Sequence, residues 1–441
     1  MTIETLGRQL RDRSISSVEA TDACLRRIEA DNARLNAFIL VMADEARRQA
    51  READRELAAG TDRGPLHGIP ISIKDLMDVH GTPTTAASRV REGHVAHGDA
   101  VAITHLRQGG AVFVGKTNLH EFAFGTTSED SAFGPARNPH DPSRSPGGSS
   151  GGSAASIASG MALASIGTDT GGSIRIPAGA CGIVGLKPTF GEVSTDGVVP
   201  LARSLDHVGP LAASVTDAHT VYHTLIGVAA RPLAPSPIRG QRLAVLRPYF
   251  CDLLDEDVRP VFEQAVDRLR AAGANVQDAA IRHAGDIGPI YTHLSVPEAS
   301  AYHADTLERK GELYTKPVRL RLEMGRTILA EDYVRALAGR ELLRREVDAV
   351  LASGAVIVLP TLPIPAPPIG AAMVRVGATE EPVRNMMLRL TQLFNMTGHP
   401  AVSIPCGKTK AGLPCGLQLV GARMETDTLL GVALACERQL A

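Results

Sequence analysis

Two serine-bearing glycine loops and one upstream lysine are the residues of this chain best suited to chemistry. Gly147-Gly148-Ser149-Ser150-Gly151-Gly152-Ser153 and Gly171-Gly172-Ser173-Ile174-Arg175 place Ser149 and Ser173 24 positions apart, and Lys74 stands earlier, in Ile73-Lys74-Asp75. A serine hydroxyl is a weak nucleophile at its free pKa and needs a base to take its proton. Glycines remove Cβ atoms, so backbone N–H groups can approach a substrate carbonyl and stabilise the oxyanion that forms there. Together these residue types predict attack on an acyl carbon.

The flanking sequence indicates how such groups would be held. Lys74 ends the apolar run Ile69-Pro70-Ile71-Ser72-Ile73, which reads as a short buried strand rather than a surface segment. Gly147 to Ser153 has the composition of a flexible linker, yet an Ala/Gly-rich helical stretch from Ala154 to Ala164 follows it directly, and close packing suits small residues. Ser173 lies between Ile166-Gly167 and Ile174-Arg175-Ile176-Pro177, and Asp169 with Arg175 predicts a buried ion pair bracing its loop. Gly147 to Gly151 also satisfies G-x-S-x-G, which would make Ser149 the nucleophile at a strand-to-helix elbow. What precedes it, Asn138 to Pro146, holds three prolines and several turn formers, so no strand is expected there. Neither glycine cluster continues into Gly-Lys-Ser/Thr, and no G-x-G-x-x-G follows a clear strand, which argues against nucleotide binding.

Around these motifs the chain alternates short β-like runs with helical ones. Residues 111–114, 182–185, 242–246, 355–360 and 401–404 read as strands, predicting α/β architecture with a central, mostly parallel sheet covered by helices. The first sixty residues read as helices clamping the outside of the core, with a capping box at Ser16-Ser17-Val18-Glu19. The proline-rich stretch 229–237 reads as an exposed connection, residues 295–350 as largely helical, and 360–368 as a stiff loop after a strand, near the site entrance.

Composition removes several function classes. The 441 residues balance 46 Lys and Arg against 48 Asp and Glu with no long basic block, so no nucleic-acid partner is expected. No apolar run reaches the length of about 18 residues that a membrane span needs, and the first residues lack a signal-peptide layout. A cytoplasmic location is the expectation. Six scattered cysteines without a C-x-x-C pair predict free, mostly buried thiols. His94-x-x-His97 is the closest histidine pair, but it sits in a polar, glycine-containing loop with no cysteine partners, so neither a metal nor another cofactor is predicted.

The order of the motifs resembles the amidase signature family, serine hydrolases that use a Ser–Ser–Lys triad. The likeness runs from Gly68-Ile69-Pro70-Ile71-Ser72-Ile73-Lys74-Asp75 through Phe133-Gly134-Pro135-Ala136-Arg137-Asn138-Pro139, both serine loops and Ser204-Leu205-Asp206-His207-Val208-Gly209-Pro210. A weaker tail follows in Asn395 to Ala401 and Gly412 to Gly421. The resemblance implies a large mixed, twisted β-sheet sandwiched between layers of helices, in one domain over 1–441. Within it, 1–60 would be an N-terminal helical segment, 61–215 the catalytic core, 228–390 a variable substrate funnel and 391–441 a return to the core. It implies Ser173 as nucleophile, Ser149 as bridging serine after a cis Gly148–Ser149 peptide, and Lys74 as ultimate base. It further implies an oxyanion hole from the N–H groups of Thr170, Gly171, Gly172 and Ser173, and an acyl pocket touching Ala123. The implied activity is hydrolysis of a small-molecule carboxylic amide through an acyl-serine intermediate, and a homodimer is compatible with it. Two alternatives stay open: a glutaminase A-type subunit of a tRNA-dependent amidotransferase, which would need a partner protein, and an esterase-type serine hydrolase. Against the first, residues 300–345 lack the tyrosine-rich segments of those glutaminases, and the chain stops soon after Leu430 without their extended tail.

Overall fold

The computed structural model describes residues 1–229 and 231–441. The strands in chain order are β1 (Phe38–Val41), β2 (Pro70–Lys74), β3 (Val112–Thr117), β4 (Ala164–Asp169), β5 (Val184–Lys187), β6 (His207–Ala212), β7 (Arg242–Leu246), β8 (Asn275–Ala279), β9 (Val356–Pro360), β10 (Met373–Val376), β11 (Thr379–Pro382), β12 (Ala401–Lys408) and β13 (Pro414–Val420). Eleven of them form one sheet in the order β1-β3-β2-β4-β6-β5-β12-β13-β9-β7-β8, while β10 and β11 make a separate hairpin.

The sheet is mixed, as the family resemblance implied, and the mostly parallel sheet read from the alternating runs alone is corrected. Only β3-β2-β4 and β9-β7-β8 run parallel; among the described residues the other six of ten pairings are antiparallel. The reason is connection length: β12 and β13 are joined by a tight turn, which permits only antiparallel return, whereas a parallel neighbour needs a crossover of a dozen or more residues. Apolar runs alone do not encode strand direction. Alternate residues explain how both faces are covered: Val112 and Val114 of β3 enter one apolar cluster while Phe113 enters another.

Helices close both faces. Ser17–Leu35, Ala43–Ala58 and Gly151–Ala158 bring most of their buried apolar residues to the cluster that holds Val112 and Val114, and Arg175–Cys181 divides its own between that cluster and the one of Phe113. Val215–Leu225, Val258–Ala271 and Thr426–Leu440 bring theirs to the cluster of Phe113. The capping box is present: Ser16 Oγ accepts from Glu19 N at 3.1 Å, and Glu19 Oε2 accepts from Ser16 N at 2.8 Å. The first sixty residues are not wholly helical, however. β1 interrupts them and pairs with the edge of β3, an arrangement its four residues could not announce without their partner. Residues 295–350 are largely helical, as Ile287–Lys310, Lys316–Gly325 and Ala330–Leu351. The 229–237 stretch holds neither helix nor strand among its described residues; Ala230 lies outside them. The 360–368 loop lies on the segment leading to the first serine loop, where Pro367 O accepts from Ser145 N at 2.9 Å.

Candidate active site

Three parallel strands, β3-β2-β4, end side by side, so their carboxyl ends deliver Lys74, Thr117-Asn118 and Asp169 to one edge of the sheet. This is where open α/β sheets present their ligands. Every residue of β2 is buried, and Lys74 is 0% exposed. Its Nζ lies 2.7 Å from Ser149 Oγ and 2.7 Å from Thr168 Oγ1 on the adjacent strand. Burial pushes the Lys74 amine down from 10.5 to about 7, while the more distant Asp169 and Asp206 carboxylates pull the other way. Desolvation wins because its bonded neighbours are hydroxyls, which satisfy the amine without neutralising a charge.

The first serine loop enters the helix Gly151–Ala158, and the Gly148–Ser149 peptide is cis. A Cβ on Gly148 would stand 2.8 Å from Ser128 N and from the Thr126–Thr127 backbone, so only glycine fits. Ser149 O accepts from His120 N and from Ser128 Oγ, each at 3.1 Å, and Ser128 Oγ in turn accepts from Gly151 N at 3.1 Å. The residues before this loop, 138–146, hold no strand, which removes the nucleophile-elbow reading. Ser150 ties the two loops together: its N donates to Ser173 O at 3.2 Å, and its Oγ donates to Thr168 O at 3.2 Å.

Thr170 to Ser173 form the bend between β4 and the helix Arg175–Cys181. Among the described residues, the N–H groups of Gly171, Gly172 and Ser173 donate to no protein acceptor. Buried backbone donors are almost always paired, so a run of free ones marks a place prepared for an acceptor. Ser173 is 6% exposed whereas Lys74 and Ser149 are 0%, so of the three it is the one that solvent reaches. Gly172 has φ 141°, and a Cβ there would collide with Thr391 Oγ1.

The predicted Asp169–Arg175 pair is present and buried, at 2.9 Å. Asp169 also accepts from Ile174 N at 3.1 Å, which pins the loop just after Ser173. The Arg175 guanidinium holds the Asp169 carboxyl well below the usual carboxylate range against the opposing effect of burial. Arg175 reaches further, to Thr391 O at 2.9 Å, Gln418 Oε1 at 2.6 Å and Asn395 Oδ1 at 2.6 Å, while Thr391 Oγ1 donates to Gly171 O at 2.6 Å. Thr170 Oγ1 donates to buried Asp206 at 2.6 Å. Ala123 is buried in the left-handed region at φ 58°, and its N donates at 2.8 Å to the carbonyl of His120, the residue whose own N–H supports Ser149 O.

Sequence reasoning singled out neither Thr168 nor the bracing roles of Thr391, Asn395 and Gln418. Thr168 stands beside Asp169 just before the second serine loop, and Asn395 and Gln418 stand inside the tail motifs; Thr391 and Tyr291, whose hydroxyl lies beside Gly171, stand in none. All six cysteines are free and buried. Among the described residues no helix is long and apolar enough to cross a membrane. Among the described residues the grouping with metal-like spacing is His219, His223 and Asp427, where His223 Nε2 meets Asp427 at 2.9 Å; it does not include His94 or His97.

Comparison with known proteins agrees with this geometry. The model of the Amidase family matches residues 19–430. An amidase from Pseudomonas putida is 38% identical over 453 aligned residues, covering 99% of this chain and 96% of that one. The A-type chain of the glutamyl-tRNA(Gln) amidotransferase of Roseiflexus sp. (strain RS-1) is 39% identical, with coverage of 99% and 96%. A crystal structure of an amidase superposes with a TM-score of 0.95 at 38% identity, covering 100% of both chains. With an eleven-stranded mixed sheet of the same fold and a match spanning nearly its whole length, the chain belongs to the amidase family, hydrolases acting on carbon–nitrogen bonds.

Proposed function

We propose that this amidase cleaves a carboxylic amide through an acyl-Ser173 intermediate, with Ser149 as relay and Lys74 as base. The observation that carries the reading is the buried Lys74 amine, brought to about 7 and held 2.7 Å from Ser149 Oγ. Neutral Lys74 directs an N–H at Thr168 and its lone pair at the Ser149 hydroxyl. Ser149 passes its proton to Lys74 while taking that of Ser173, and Ser173 Oγ attacks the carbonyl carbon. The negative oxygen of the tetrahedral intermediate is received by the N–H groups of Thr170 to Ser173, each such donor contributing roughly 3 kcal/mol. The proton returns along the relay to the departing amine. Water then gives up a proton by the same route and attacks the acyl carbon, releasing the carboxylic acid and restoring Ser173. No cofactor enters this scheme.

Residues 61–215 supply the reacting groups and 391–441 brace them through Arg175, which supports treating 1–441 as one functional unit, with Ala123 beside the acyl group. Six unpaired buried thiols support a reducing, cytoplasmic setting. The test is amide hydrolysis by the purified chain alone, monitoring ammonia and free amine over aliphatic, aryl and bulky amides. Ser173→Ala should abolish turnover, and Lys74→Ala should depress it by about 10³-fold or more; a fully active Lys74→Ala enzyme would sink the assignment. A second reading, a glutaminase serving a partner protein, rests on the likeness to the amidotransferase chain of Roseiflexus. Co-purification with a second protein, and ammonia release from glutamine only in its presence, would favour that reading. Size-exclusion light scattering of the same sample reads whether the chain is a homodimer.

A further inference from the structure

Behind the Ser149 loop lies a cavity of about 260 Å³ lined by His120, Thr126, Thr127, Glu129, Arg321 and Arg384. One wall is shared with the catalytic peptide, because the Thr126–Thr127 backbone is what a Cβ on Gly148 would strike. The helix Val383–Leu388 contributes Val383 and Arg384 to the lining. Arg384 lines the cavity, and Leu388, four residues on and so on the same helical face, comes within 3.0 Å of where a Cβ on Gly171 would stand. The Tyr291 hydroxyl borders Gly171 too, and the Arg384 charge acts on it. The helix therefore touches the cavity at Arg384 and the Ser173 loop at Leu388, one turn further on.

The charges around this cavity are unevenly matched. Asp130 pairs with His120 at 3.0 Å. Arg321 donates to Phe124 O at 2.5 Å and feels the Asp130 charge. Glu129 accepts from Gly370 N at 2.8 Å, and burial shifts it towards its neutral acid form. Arg384 has nothing: among the described residues its guanidinium makes no ion pair and no hydrogen bond, and its Nε is buried without an acceptor. Arg175, by contrast, fills its fork with protein acceptors. An arginine cannot shed its proton, so Arg384 is a partly buried cation awaiting an anion, and its planar fork matches a carboxylate.

We propose that Arg384 anchors the carboxylate of the substrate, which makes the substrate a short dicarboxylic acid monoamide whose far end presents its amide to Ser173. A monoanion suits the cavity better than a phosphate dianion, because the Asp130 and Glu129 carboxyls stand on the same walls. This assignment rests on the amidase reading and narrows it.

The experiment compares succinamate, glutaramate and adipamate with the uncharged amides butyramide, valeramide and hexanamide. For the best-fitting chain length the wild-type protein should favour the anionic substrate in kcat/KM by about 10- to 100-fold, the effect of a hydrogen bond to a charged group, expressed mainly in KM. Arg384→Gln should bring that ratio near unity and Arg384→Lys should keep part of it, with circular dichroism verifying the fold of each. Equal preference in the wild type, or a ratio unmoved by Arg384→Gln, overturns the proposal. Calorimetric titration of succinate and glutarate into Ser173→Ala separates it from the amidase reading. Dicarboxylate binding lost on adding Arg384→Gln upholds the subsite even if no amide is turned over; absent or unaltered binding rejects it even where neutral amides are hydrolysed.

Discussion

Neighbouring strands β2 and β3 each carry a buried lysine near their carboxyl ends, and the surroundings of the two differ in one respect. Lys116 faces Asp75 at 2.8 Å, with Thr84 Oγ1 at 2.8 Å and Pro83 O at 2.7 Å completing its shell. Among the described residues Lys74 has only the hydroxyls of Ser149 and Thr168. Burial lowers the pKa of both; at Lys116 the Asp75 carboxylate opposes it in direct contact, whereas at Lys74 the opposing carboxylates of Asp169 and Asp206 are more distant. A counter-ion turns a buried lysine into a structural cation; withholding one turns it into a base. The same rule separates Arg175, compensated by Asp169, from Arg384.

The largest expected effect is on that pair. Lys74→Met should cost about 10³-fold or more in kcat while its melting temperature stays at or above that of the wild type, since no buried charge is orphaned. Lys116→Met should do the reverse: Asp75 is left buried and unpaired, at about 3–5 kcal/mol of stability, while the folded fraction keeps turning over. Kinetics and urea denaturation on both variants read this directly, and equal stability losses would erase the distinction. Asp169→Asn should follow, with a loss of about 3 kcal/mol from the uncompensated Arg175, measured by denaturation, and lower kcat because the Ser173 loop loses its anchor.

The smallest effect is a pH dependence. Because Lys74 acts as the neutral base, kcat/KM should rise about tenfold per pH unit and level off above about 7. Stability carries the matching sign. Lys74 binds its proton up to about 7 when folded but up to its ordinary 10.5 when unfolded, so between these values the unfolded chain holds more protons and stability rises with pH. Below about 7 the full cost of the buried ammonium remains. Lys74→Met should flatten the rise in melting temperature across that window; an unchanged slope would assign it to another group.

How much of this was legible depended on whether the information was local. The capping box at Ser16 and the strand ending at Lys74 were readable because neighbours within a few positions define them. The Asp169–Arg175 brace was readable because six positions separate its members. That the sheet is mixed followed from the ordered family motifs but was not readable in the local runs themselves, since six antiparallel pairings depend on which segments meet. Nor were the acceptors of Arg175, which come from positions 391, 395 and 418.

The sequence by itself determined the cast: two glycine-held serines, an upstream lysine at the end of an apolar strand, and the ordered motifs of the amidase family. Only the tertiary structure decided that the lysine is dry and that, among the described residues, it touches no carboxylate, the N–H groups of the Ser173 loop are free and Arg384 has no partner. The division has a physical reason. Residue identity sets which protons and charges exist, but desolvation and pairing, which set how those groups behave, are properties of the space around them.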